Sequence, residues 1–78
     1  MSYQEVYKLL KEKNLKYLRE KNGLTQKEVC NILQNFGVST DRTAYSKYET
    51  GSRMIKCDVL ITLAKYYDVS TDVILGLK

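Results

Sequence analysis

Apolar residues recur every three or four positions along most of this chain, the spacing of helices with one buried side. Tyr3, Val6, Tyr7 and Leu10 make one such row, and Leu15 with Leu18 make a second, slightly out of phase. That slip allows one long drifting helix or a short leading helix that breaks near Asn14. Gly23, after Asn22, suits a left-handed cap that ends the segment. Val29, Ile32, Leu33 and Phe36 then give an i, i+3, i+4, i+7 stripe with Cys30 beside it. Thr25 and Glu28 precede that stripe at capping-box spacing, which predicts a helix over 26–35, closed by Gly37. Residues 52–56 have no period and read as a loop. Helical spacing resumes through Leu60, Ile61, Leu63, Ala64 and Tyr67, with Asp58 in the first turn to suit the helix dipole. Ser70 caps a last short helix whose apolar side is Val73, Ile74 and Leu77. The pattern gives five helices, or six if the first segment breaks.

The stretch from Asp41 to Gly51 differs from the others. Asp41 has the carboxylate of an N-cap, and Gly51 supplies the stop. Tyr45 and Tyr48 lie three apart and form a narrow aromatic seam, which predicts core wedges. Arg42, Thr43, Ser46 and Lys47 fall away from that seam. An outer face of small, hydroxylated and cationic residues suits hydrogen bonding to a polyanion and its base edges. It equally describes an ordinary solvated helix surface.

Composition narrows the classes. At 78 residues, 44% hydrophobic and 28% charged, the chain fits one globular domain spanning 1–78. With no proline and four glycines it has few turn signals, so an all-α fold is expected. Charge is uneven along it. Residues 1–22 carry six Lys/Arg against three Glu, and residues 23–56 carry five against three acids. Residues 57–78 have two lysines against three aspartates, so a polyanion would meet the first two thirds. Lys8, Lys11, Lys13 and Lys16 read as a solvated face with long-range attraction for such a partner. Cys30 and Cys57, with no histidine, cannot complete a zinc site and read as buried small hydrophobes. No run is apolar enough for a membrane and no secretory signal is present, so a cytoplasmic protein without a membrane partner is expected. The absence of histidine, of a Gly-rich phosphate loop and of a metal-spaced acidic cluster argues against an enzyme, and no cofactor or metal is expected.

Two short helices joined by a turn, the second with a polar outer face, are the pattern of a helix-turn-helix. The blocks LREKNGLTQKEV at 18–29, YSKYETGSR at 45–53 and LITLAKYYDVSTDVILG at 60–76 resemble the Cro/repressor-type helix-turn-helix family, also called the XRE family. The resemblance covers about residues 10–76 and implies a compact five-helix fold like that of the lambda repressor. It implies base reading by Arg42, Thr43, Ser46 and Lys47, and phosphate contacts by Gln26, Thr25, Thr50 and Arg53. It also implies an ion pair between Arg19 and Glu49 that braces the first helix against the third. Arg42 and Lys47 could instead clamp phosphate, and Gln26 could simply face water. The sequence departs from the family in its longer turn before Asp41, and in having Cys30 for alanine, Ile55 for proline and Lys56 for a capping serine.

The expected function is sequence-specific binding of double-stranded DNA by a transcriptional regulator, as a repressor. One recognition helix reads only a few base pairs, so a homodimer on a two-fold site is expected. Val69, Val73, Ile74 and Leu77 are the candidate dimer surface, unless they merely close the core. A chain ending at Lys78 is expected to carry no ligand-sensing or catalytic domain, leaving dimerisation, concentration or another protein, such as an antagonist or toxin partner, as the means of control. The rival expectation is an antitoxin or adaptor that keeps the fold for protein interaction, with DNA binding secondary.

Overall fold

The structure is a computed structural model that describes residues 15–76. Within them lie five helices: α1, seen over 15–21, α2 (Gln26–Asn35), α3 (Arg42–Thr50), α4 (Cys57–Tyr67) and α5 (Thr71–Leu75). The row of Tyr3, Val6, Tyr7 and Leu10, the break near Asn14, the lysines at 8, 11 and 13, and Leu77 lie outside the described residues.

Side chains close to each boundary explain where the helices start. The Thr25 hydroxyl accepts from the Glu28 N–H at 3.1 Å, and the Glu28 carboxylate accepts from the Thr25 N–H at 2.9 Å. This reciprocal box satisfies two donors that the first turn of α2 would otherwise leave bare. Asp41 Oδ1 accepts from the Ala44 N–H at 2.7 Å to start α3, and the Ser70 hydroxyl accepts from the Val73 N–H at 3.3 Å to start α5. The helix α4 begins after Lys56, whose side chain makes no capping bond. At Gly51, φ of 76° takes the chain into the left-handed region, and α3 ends there.

The core collects one to three positions from every helix. Leu15 and Leu18 of α1, Val29 and Leu33 of α2, Tyr45 and Tyr48 of α3, and Val59 and Leu63 of α4 are all buried. Each pair is three or four residues apart, so each helix offers one short stripe inward. Val38 from the α2–α3 turn and Ile55 from the α3–α4 loop plug the gaps between helices. Each such side chain contributes about 1.5–3 kcal/mol when fully buried. In a chain this small the loop residues are needed as much as the helical ones. α2 packs on α3 and on α4, and α5 packs on α4.

Three expectations need correction. Ile74 has no exposed surface and belongs to the core, so it cannot form a dimer surface. A five-residue helix has a single inward position, and Ile74 takes it to close the end of the core against α4. Cys57 is exposed rather than buried, while Cys30 is half-buried. Cys57 is the first residue of α4, ahead of the turns that hold Val59, Leu63 and Ala64. Ile61 is 44% exposed because it lies two residues from both Val59 and Leu63, on the side of α4 away from the buried stripe of Val59, Leu63 and Ala64.

Candidate nucleic-acid interface

The helix α3 has two opposed sides. At about 100° per residue, Tyr45 and Tyr48 lie opposite the arc that holds Arg42, Thr43, Ser46 and Lys47. The tyrosine rings are fully buried, whereas Arg42, Thr43 and Lys47 are exposed and Ser46 is half-buried. The rings therefore act as a wedge that lifts the polar side clear of the domain. No other part of the described chain covers that side.

The α2–α3 turn brings the start of α2 alongside it. Gln26, Arg42, Thr43, Ser46 and Lys47 line one open groove. Arg19, Leu24, Thr25, Gln26, Lys27 and Arg42 line a second. Gln26 and Arg42 border both, so the start of α2 and the polar face of α3 form one continuous surface. The first turn of α2 adds backbone N–H groups with no partner inside the helix, which favour an anion. Thr25 uses its oxygen as a cap acceptor and keeps its hydroxyl hydrogen free to donate. Thr50 and Arg53 sit elsewhere: they are exposed at the far end of α3, about 12 Å along the helix axis from Arg42. The Thr50 hydroxyl is 3.3 Å from the Lys47 carbonyl, to which it donates, and 2.9 Å from the Ser52 hydroxyl.

Behind this surface lies a buried charge pair. Arg19 Nε donates to Glu49 Oε2 at 2.6 Å, and Arg19 Nη2 donates to Glu49 Oε1 at 3.2 Å. Arg19 Nη1 donates to the Leu24 carbonyl at 2.9 Å, which ties down the loop before α2. The two side chains are only 13% and 5% exposed, so the pair spans α1 and α3 largely shielded from water. Gln26 Nε2 joins it, donating to Glu49 Oε1 at 3.1 Å. Burial alone would push the Glu49 carboxyl up. Hydrogen bonds from Arg19 and Gln26, the nearby Tyr45 hydroxyl and the Arg19 charge outweigh burial and hold it below the ordinary value of 4.5. Tyr45 lies close enough to favour ionised Glu49, yet its hydroxyl falls short of hydrogen-bond geometry. The Tyr67 hydroxyl is likewise buried without a partner, and burial, then the Glu49 charge, pushes it up to about 12. Both phenols therefore stay neutral.

Two members of this constellation escape a reading of the sequence. Lys27 borders the second groove, and its only signal is its place in the first turn of a capped helix. The Gln26–Glu49 bond joins residues 23 apart and leaves no trace in any local pattern. Among the described residues, no group of three or more His, Cys, Asp or Glu is placed to hold a metal ion. No helix among them is long and apolar enough to cross a membrane.

A compact all-α domain whose second and third helices meet through a turn, with the third presenting an open polar face, is a helix-turn-helix protein. The helix-turn-helix family model matches residues 15–74, and the chain belongs to that family of Cro/repressor-type transcriptional regulators, which are not enzymes. It is 36% identical over 63 residues to the uncharacterized HTH-type transcriptional regulator YobD of Bacillus subtilis (strain 168), covering 81% of this chain and 52% of that one. It is 42% identical over 64 residues to the HTH-type transcriptional regulator ImmR of the same strain, covering 82% of this chain and 46% of that one. The chain thus spans about half the length of the curated relatives it matches. No solved structure gives a significant match.

Proposed function

We propose that this chain represses transcription by binding double-stranded DNA sequence-specifically as a homodimer in the cytoplasm, with α3 in the major groove. The observation that carries this is the uncovered face of Arg42, Thr43, Ser46 and Lys47 beside the first turn of α2. A helix backed by its own core and bare on its polar side fits a groove that admits one helix. Arg42 reads guanine by two parallel hydrogen bonds, and Thr43, Ser46 and Lys47 read neighbouring positions. Gln26, Thr25 and Lys27 hold phosphate at the start of α2, while Thr50 and Arg53 reach the backbone at the other end of α3. The Arg19–Glu49 pair fixes the angle between α1 and α3 and touches no DNA. A second copy docks through Tyr66, which is 42% exposed, and the half-buried Val69 and Val73.

Selection of bound sequences from random duplex DNA tests this in one pass. Enrichment of two related half-sites about one helical turn apart is expected. Failure to enrich any sequence would overturn the reading and favour a module that binds protein instead.

A further inference from the structure

A glutamine amide carries two hydrogens and one acceptor oxygen, and it could be turned either way about its last torsion. Glu49 settles the orientation of Gln26. An ionised carboxylate accepts and never donates, so only Nε2 can face it. That nitrogen lies 3.1 Å from Glu49 Oε1. The carboxylate is itself immobile, gripped by two Arg19 donors at 2.6 and 3.2 Å, and Glu49 is only 5% exposed. Arg19 is anchored in turn on the Leu24 carbonyl at 2.9 Å. A chain of hydrogen bonds therefore runs from α1, through the last turn of α3, to the first residue of α2. Gln26 also borders the open groove it shares with Arg42 and Lys47. One Nε2 hydrogen is committed inward. Among the described residues nothing claims the other.

We propose that Glu49 is a positioning residue for DNA: by holding one Nε2 hydrogen of Gln26, it offers the second to a phosphate oxygen. This rests on the DNA-binding reading above. Without the Glu49 anchor, Gln26 is free about three side-chain torsions, and fixing them on binding costs entropy. The buried ion pair thus sets affinity through one neutral amide. Because that amide is neutral, its phosphate contact releases no counterion and leaves the salt slope alone.

A double-mutant cycle of Gln26→Ala and Glu49→Gln, read as affinity for a selected duplex and a random duplex, tests it. In the parent protein, Gln26→Ala should weaken both duplexes about tenfold, as loss of a hydrogen bond to a charged group does. The salt slope should not change. In Glu49→Gln a single amide oxygen replaces two carboxylate oxygens, and charged Arg19 takes it. Gln26→Ala in that background should then cost less than about twofold. An equal loss in both backgrounds overturns the positioning role and leaves DNA binding intact. If the parent binds no duplex, the DNA reading falls, and the positioning role with it.

A second measurement needs no variant to fold. In NMR spectra of the unaltered protein, the two Nε2 protons of Gln26 should differ in shift. The inward one should move as acid below the ordinary carboxyl value of 4.5 protonates Glu49, while Arg19 stays charged and Tyr45 and Tyr67 stay neutral. Gln26 protons that ignore this titration overturn the proposal.

Discussion

Glu49 keeps its charge inside the protein because hydrogen bonds from Arg19 and Gln26 outweigh the cost of burial. In the unfolded chain it titrates near 4.5, and in the folded protein lower. Above 4.5 both states are ionised and the stabilisation is fully present. Between the two values the unfolded state binds the proton first, so stability falls as pH drops through the folded value. Melting curves taken across the acid range should show this decline in the parent protein and a flatter profile in Glu49→Gln. An unchanged profile would mean that Glu49 does not titrate with folding. Arg42 is exposed at the first position of α3, with no carboxylate partner among the described side chains. Arg42→Ala should cost about 1–3 kcal/mol at the selected site and relax preference at one position. Competition binding against singly substituted sites checks it. If affinity drops equally for every sequence, Arg42 clamps phosphate instead.

At the scale of the element, capping decides how firmly each helix starts, and α4 is the exception. Thr25, Asp41 and Ser70 each accept a backbone N–H from the first turn of their helix, but Lys56 does not. Only Asp58 helps there, by accepting from the Val59 N–H at 2.8 Å. Lys56→Ser should therefore stabilise the domain by about 0.5–1 kcal/mol. For a domain of this size that raises Tm by roughly 2–8 °C. A calorimetric scan showing no rise would mean that Asp58 already satisfies the turn. The same local chemistry explains why so much of the fold was legible in the sequence. The Thr25–Glu28 box, Asp41, Gly51 and Ser70 lie within three residues of the boundaries they set, so α2 and α3 fall where their caps put them. What was not legible depends on distance or on facing. Helical period puts Ile74 on an apolar side but cannot tell a core from a docking surface. Cys57 sits among apolar residues yet at the exposed first position of α4. The bond from Gln26 to Glu49 exists only once α2 and α3 have packed. Of the proposed DNA face, the sequence shows that α3 has a polar side, and it leaves no trace of the link to the buried pair.

Across the whole molecule, charge and apolar surface are segregated along the chain. Residues 1–56 hold eleven of the thirteen Lys/Arg, and residues 57–78 carry a slight acidic excess. On the proposed reading, DNA is drawn to the first part, and the last part is left to meet another copy. That division matters because one α3 reads only a few base pairs. Two copies joined back to back would read two half-sites, and the second would bind almost as an intramolecular event. With Ile74 committed to the core, the side chains still free to make such a contact begin with Tyr66, 42% exposed and held edge-on to Tyr67, with ring centres 5.4 Å apart. Tyr66→Glu adds a charge to an exposed position, so folding should survive it. The same charge at the centre of a two-fold contact would face its own copy, and dimerisation should weaken by about tenfold or more. Sedimentation equilibrium reads that directly. Affinity for the full site should then fall, while affinity for one isolated half-site stays as it was, because Arg42 and Lys47 are untouched. A Tyr66→Glu protein that still dimerises as tightly as the parent would move the contact off this face. A half-site affinity that fell in step would show that the change had reached α3 through the fold rather than through the partner.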